Sequence, residues 1–177
     1  MRPGADVLTN PQYTIRKLRE EDVPRLENIL RLTGVFTEEE ISVALELMDI
    51  FLHDPGQDDY DIYSSLDENG EAQGYVCIGP TPMTNGTYDL YWIAVDPRRH
   101  HRGIGKQLQL FTEELVRSRG GRLIIAETSS MPKYENTRKF YLSLNYTEAA
   151  RIKDYYKIGD DLVVYGKYVS QFKEHSI

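Results

Sequence analysis

Four basic residues, Arg98, Arg99, Arg102 and Lys106, crowd one turn together with Gly103 and Gly105, in a chain whose formal net charge is −7. Local charge opposes global charge here. Upstream, Ile93 and Val95 are β-branched and stop at Asp96-Pro97, where proline cannot donate to a sheet ladder, so Trp92 to Val95 reads as a strand end. Downstream, Ile104, Leu108, Phe111 and Leu115 fall at i, i+4, i+7 and i+11, which places them on one face of a helix starting near Gly103. The first amides of a helix lack intrahelical acceptors, its dipole adds partial positive charge, and glycine lets the backbone approach a ligand closely. Strand, basic turn and helix start together predict an anion cradle suited to phosphate.

A second place for chemistry lies further on. Thr137, Phe140, Tyr141 and Leu144 share a helical stripe that begins at about Lys133, and Tyr141 sets a phenol, a hydrogen-bond donor, on an otherwise apolar face. It reads as a proton donor or as a packed core tyrosine. Tyr88, Tyr91, Trp92, Tyr155 and Tyr156 offer rings that could line a pocket, although alternate strand positions face opposite sides. Asp154, Asp160 and Asp161 form an acidic turn, read as a charged hairpin tip or as an attractor of cations. His100 and His101 have no partner pattern for a metal, so no metal site is expected. Cys77, the single cysteine, sits in the apolar run Gly74 to Ile78 and reads as a buried, inert thiol.

The elements that must position these residues follow in order. Tyr13 to Leu18 alternates as a short strand. Asp22 is placed to cap a helix carrying Val23, Leu26, Ile29 and Leu30, which Gly34 ends. Thr37 and Glu40 have capping-box spacing ahead of Ile41, Ala44, Leu45, Met48 and Leu52. Short strands at Tyr60 to Tyr63 and Gly74 to Ile78 flank a turn containing Asn69-Gly70, and a third strand runs from Thr87 to Val95. After the helix that ends at Gly120-Gly121, Leu123 to Ala126 reads as a strand, and Ala149 to Ile152 and Leu162 to Tyr165 flank the tyrosine-rich turn as a last hairpin. A meander followed by one strand-helix-strand crossover predicts an α/β (α+β) sandwich about a largely antiparallel sheet.

The whole chain bounds the rest. Residues 1 to 11 read as a flexible leader and 12 to 177 as a single domain. A 40% hydrophobic, 28% charged composition is that of a folding chain. The acidic balance excludes a general nucleic-acid binder and favours an amine-bearing, cationic substrate. With no secretory core and no apolar run near ~20 residues, no membrane partner is expected and the reading is a soluble, cytoplasmic protein.

From residue 13 to 169 the chain resembles the GNAT superfamily of N-acetyltransferases. The resemblance rests on His100-His-Arg-Gly103-Ile-Gly105 after a Val-Asp-Pro strand end, with His100 where arginine or glutamine is usual, and on Phe140-Tyr141 followed by Asn145-Tyr146, with Asn145 where glycine is usual. It implies a sheet of about seven strands flanked by about four helices, and acetyl-CoA as cosubstrate. It further implies that Ile93, Ala94 and Val95 pair with the pantetheine arm. The backbone of Arg98 to Lys106, including His100, His101, Arg102, Gly103, Ile104 and Gly105, would hold the pyrophosphate, and Arg138 could reach another phosphate. By the same resemblance Tyr141 is the general acid and Asp89, five residues before Ala94, the base; Glu127, at the end of the adjacent strand, is its rival by position. The function implied is acetyl-CoA-dependent transfer to a primary amine of a small molecule by direct transfer in a ternary complex. Two alternatives stay open: protein or peptide N-terminal acetylation, because Asp154-Tyr-Tyr and Asp160-Asp-Leu-Val-Val resemble the end of ribosomal-protein acetyltransferases, and a non-catalytic CoA-binding module. The oligomeric state is open, a homodimer included.

Overall fold

Thr37 opens a 16-residue helix through a reciprocal cap: its hydroxyl accepts from the Glu40 amide at 3.2 Å, and the Glu40 carboxylate accepts from the Thr37 amide at 2.7 Å. In the computed structural model, which describes residues 13–170, that helix is one of four. The leader expected over residues 1 to 11 lies outside the described residues. In chain order the elements are β1 (Thr14–Lys17), α1 (Val23–Thr33), α2 (Glu38–His53), β2 (Asp61–Leu66), β3 (Ala72–Pro80), β4 (Thr87–Val95), α3 (Ile104–Ser118), β5 (Leu123–Ser129), α4 (Glu135–Ser143), β6 (Thr147–Lys157) and β7 (Asp160–Tyr168). The seven strands run in the order β1-β2-β3-β4-β5-β7-β6. β4 and β5 pair in parallel, as a crossover through α3 requires, whereas β1·β2, β2·β3, β5·β7 and β6·β7 are antiparallel. The mixed, largely antiparallel sheet of seven strands with four helices agrees with the expected fold.

The described residues resolve into two compact units, one holding residues 13–79 with Trp92–Leu115, the other holding Pro80–Tyr91 with residues 116–170. In the first, the predicted stripe of α1 (Leu26, Ile29, Leu30) and that of α2 (Ile41, Ala44, Met48) pack on Ile62, Tyr75, Cys77 and Ala94. Gly34, at φ +68°, ends α1 as expected. Asp22 departs from expectation. Its side chain makes no cap on α1; it is buried and accepts instead from Arg16, the Arg19 amide and Ser64. Ser64 and Ser65, too polar to be read as strand, extend β2 to Leu66 and are fully buried.

Cys77 is 1% exposed, and burial pushes its thiol up to about 12. A thiol that stays protonated is a poor nucleophile. Alkylation by iodoacetamide at pH 8 is expected to be at least about a hundredfold slower in the native protein than in the chain unfolded in guanidinium, as followed by mass spectrometry. Because the folded value lies above the unfolded value of about 8.5, the group's contribution to stability is complete below about pH 8.5 and is lost as pH rises through about 12.

In the second unit, Ile124 and Ala126 of β5 and Val163 and Tyr165 of β7 are buried with Tyr141, Leu144 and Tyr146. Asn145 takes φ +64°, and the Tyr146 amide returns to the Tyr141 carbonyl at 3.1 Å, so asparagine ends α4 in the left-handed form that glycine usually supplies. The last hairpin is longer than expected. Tyr155 and Tyr156 lie inside β6, where the register jumps from Ile152↔Leu162 to Lys157↔Asp160 and Asp154 takes φ +54°. This is a multi-residue bulge on an exposed edge strand, residues 153–156 standing opposite Asp161, not a turn.

Candidate active site

Asp96 ends β4 and is fully buried, at 0% exposure, inside the basic turn. Its amide donates to the Gln73 carbonyl at 2.8 Å, and its carboxylate accepts from the Arg98 amide (3.0 Å), Arg98 Nε (3.0 Å), Arg98 Nη2 (2.8 Å) and Arg25 Nη2 (2.9 Å). The Arg98 guanidinium above all holds this carboxyl below the usual carboxylate range, against the upward pull of burial. Beneath the strand end, β3 carries Gly74. A Cβ there would lie 2.6 Å from the Ala94 carbonyl oxygen and 3.2 Å from Val95 Cα, so a side chain would push away the segment Ile93, Ala94, Val95.

Past Asp96 the chain reverses through the 3-10 turn Pro97–Arg99. Its amides are spoken for: Arg99 donates to the Asp96 carbonyl at 2.8 Å, His100 to Pro97 at 3.4 Å and Arg102 to Arg99 at 3.4 Å. The expected cradle of Arg98 to Lys106 therefore narrows, because the amides of Arg98, Arg99, His100 and Arg102 already have acceptors inside the turn. The first helical bond of α3 runs from the Gln107 amide to the Gly103 carbonyl at 2.9 Å. The amides of Gly103, Ile104, Gly105 and Lys106 precede it, at the positive end of the helix dipole. Gly103 takes φ +81°, and a Cβ added there would meet no atom within 4 Å; His101 takes φ +64°. Ile104 is buried and pins the helix start, while His100, His101, Arg102, Gly103 and Lys106 face solvent. Four consecutive donors, flanking cations and open space fit a diphosphate.

The remaining candidates lie in the second unit. Tyr141 is 4% exposed, its ring 5.5 to 5.6 Å from those of Phe140, Tyr146 and Tyr165, and burial pushes its phenol well above the ordinary range. Asp89 accepts from the Thr81 hydroxyl at 2.8 Å. It pairs with Ile125, two residues before the exposed Glu127, so strand alternation turns Asp89 and Glu127 to one face of the sheet. Tyr165 pairs with Ala126 and faces the other way, and Tyr141 packs on Tyr165. The structure thus brings the two carboxylates to a common face and sets the phenol on the opposite one.

Arg138 gives Nη1 to the carbonyls of Ser129 (2.7 Å) and Met131 (3.0 Å), which ties the end of β5 to α4. The geometry supports this anchoring use. The acidic hairpin is engaged as well: Asp160 is buried and accepts from Ser129 Oγ at 2.5 Å, Asp161 accepts from Arg151 (3.2 Å) and the Asp154 amide (3.0 Å), and Asp154 accepts from the Gly159 amide at 2.7 Å. These acids hold the hairpin. Among the aromatic candidates, Tyr88 packs where Gly121 leaves room, since a Cβ on Gly121 would lie 2.8 Å from its ring. Trp92 packs on Phe36 in the first unit, the rings tilted at 41° with centroids 5.8 Å apart, and its Nε1, like the Tyr75 hydroxyl, is buried without a hydrogen-bond partner. Among the described residues, no group of three or more His, Cys, Asp or Glu is placed to hold a metal ion, and no helix is long and apolar enough to cross a membrane.

Reading by sequence missed Asp96 and Arg25. The acid was visible as an odd member of a basic turn, but its partner lies 71 residues earlier.

Comparison with known proteins gives a consistent picture. The family model described as "Acetyltransferase (GNAT) family" matches residues 23–146. Among solved structures, an acetyltransferase of that family from Desulfovibrio desulfuricans is 40% identical, with 89% of this chain and 99% of that chain covered and a TM-score of 0.85. The ribosomal-protein-S18-alanine N-acetyltransferase of Escherichia coli is similar in fold at 20% identity, covering 93% and 99%, with a TM-score of 0.72. An aminoglycoside 6'-N-acetyltransferase complexed with coenzyme A is similar at 19% identity, covering 90% and 99%, with a TM-score of 0.70. The search of curated proteins finds no match.

Proposed function

Because the chain belongs to the acetyltransferase (GNAT) family, we propose that it moves an acetyl group from acetyl-CoA to a primary amine of a small molecule, by direct transfer in a ternary complex. The observation that carries this reading is the run of unengaged amides, Gly103 to Lys106, at the head of α3 beside Arg99, Arg102 and Lys106. Acetyl-CoA supplies the activated thioester. The four amides hold its diphosphate, and the backbone of Ile93, Ala94 and Val95 aligns the pantetheine arm. Tyr141 Oη holds the proton that a departing thiolate needs. Asp89 or Glu127 accepts the proton that an ammonium acceptor must lose before it attacks. The Thr81 hydroxyl already occupies Asp89 Oδ2, which leaves Oδ1 for this task.

Calorimetric titration with acetyl-CoA, beside desulfo-CoA and ATP, tests the cradle. Acetyl-CoA and desulfo-CoA are expected to bind alike and ATP more weakly, and Gly103→Glu is expected to weaken acetyl-CoA binding roughly a hundredfold, since it strains a left-handed position and sets a carboxylate among the phosphate donors. Wild-type protein that fails to bind acetyl-CoA would end the proposal. A panel of polyamines, amino acids, aminoglycosides and N-terminal peptides then names the acceptor. The peptide arm tests the second reading, motivated by the Asp154-Tyr-Tyr segment: acetylation confined to peptides would replace the small-molecule acceptor with a protein N-terminus.

A further inference from the structure

A carboxylate is out of place in an anion-binding turn. Asp96 nevertheless sits at the root of this one, wholly buried, and its four donors all come from the protein: three from Arg98 and one from Arg25 of α1. Three consequences follow from that geometry. First, Arg98 commits its amide, Nε and Nη2 to Asp96, so these three donors are taken up by the protein although the side chain stays 55% exposed. Second, the Arg98 and Arg99 amides both bend around Asp96, one to its carboxylate and one to its carbonyl at 2.8 Å, and this reversal delivers the chain to the left-handed His101 and Gly103. Third, Arg25 also gives Nε to the Ala72 carbonyl at 3.3 Å, which fixes α1 to the ends of both β3 and β4.

From these contacts we infer that Asp96 and Arg25 are positioning residues for the diphosphate cradle: the buried carboxylate shapes the turn, and an arginine from α1 that faces the carboxylate sets how firmly the cradle is held. The inference rests on the acetyl-CoA reading given above. It makes coenzyme affinity depend on a helix that contributes none of the four cradle amides. A preorganised site loses affinity when its supporting contacts are removed, by roughly ten- to a hundredfold for the residues that orient metal ligands, the scale taken here.

The test is calorimetric titration of the full chain with acetyl-CoA for the wild type, Asp96→Asn, Arg25→Met and Arg25→Lys, each checked for folding by circular dichroism and thermal melting. Asp96→Asn and Arg25→Met are expected to weaken binding about ten- to a hundredfold. Arg25→Lys, which keeps a cation within reach of Asp96, is expected to restore most of that loss. A merely structural role for Arg25 would not distinguish Met from Lys at equal melting temperature. If Asp96→Asn does not fold, the two Arg25 variants decide, because Arg25 is part-exposed and its removal leaves Arg98 on Asp96. Folded variants that bind as tightly as the wild type, or Lys and Met variants equally weakened, would overturn the inference while leaving the acetyl-CoA reading intact. Wild-type protein that does not bind would instead bring down that reading, and this inference with it.

Discussion

Replacing Tyr141 with phenylalanine is expected to slow acetyl transfer by roughly a hundred- to ten-thousandfold, the range over which a positioned general acid contributes, and to leave acetyl-CoA affinity within about threefold of the wild type. The packing around the ring makes this a clean substitution. Tyr141 is 4% exposed and its ring meets those of Phe140, Tyr146 and Tyr165 at 5.5 to 5.6 Å, contacts that a phenylalanine ring retains. Loss of the hydroxyl alone alters stability by about 1 kcal/mol. Burial raises the phenol above the ordinary tyrosine value of about 10, so the proton-bearing form persists beyond that pH. No alkaline loss of rate below about pH 10 should therefore trace to Tyr141. Thiol release followed across pH for the wild type and Tyr141→Phe checks both statements. A variant as fast as the wild type would reduce Tyr141 to a core ring; if Asp89→Asn were equally silent, the non-catalytic reading would gain.

What the sequence shows about this protein divides by distance along the chain. The Thr37–Glu40 cap, the left-handed Gly34 and the helical stripes of α1, α2 and α4 depend on residues within four or so positions of one another, so local rules reach them. Asn145 belongs with these: its tolerance of φ +64° is an intrinsic property of the residue. Ser64 and Ser65 defeat the same rules, because both are fully buried by the fold, Ser64 against Asp22, 42 residues earlier in the chain. Tyr155 and Tyr156 defeat them differently, since an acidic tyrosine pair reads as a turn until the register shift shows that β6 bulges through it. The cradle was legible as a place and only half legible in detail. Strand, glycine turn and helix stripe located it, but which amides remain available is settled by Asp96, whose carboxylate and carbonyl compete for Arg98 and Arg99. The two carboxylates and Tyr141 could be proposed from position alone, yet their division between two faces of the sheet needed the β4·β5·β7 register.

The largest loss of stability is expected from Asp22→Ala. Its side chain is 2% exposed, and it is the common acceptor for Arg16 Nη1 (2.7 Å) and Nη2 (3.0 Å), the Arg19 amide (3.0 Å) and Ser64 Oγ (3.0 Å). Arg16 and Ser64 are themselves cross-strand partners in the β1·β2 ladder, so one carboxylate joins both strands to the turn that leads into α1. Alanine leaves the Arg16 guanidinium, 19% exposed, and the fully buried Ser64 hydroxyl without their shared acceptor. Breaking a buried ion pair from one side costs about 3–5 kcal/mol when the remaining charge is stranded, and because Arg16 keeps Glu21 at 3.1 Å the low end, about 3 kcal/mol, applies here. For a chain of this length that is a fall in melting temperature on the order of 10 °C. Asp22→Asn keeps the shape and one acceptor oxygen and should lose about half as much, since a neutral amide still receives hydrogen bonds but no longer balances the arginine. Denaturant unfolding checks this as a drop in midpoint at unchanged slope, which separates lost stability from an altered unfolded state. A loss below about 1 kcal/mol for the alanine variant would mean that water replaces the carboxylate at little cost, and that β1 is held by its ladder and by Ile15 in the core rather than by this charge.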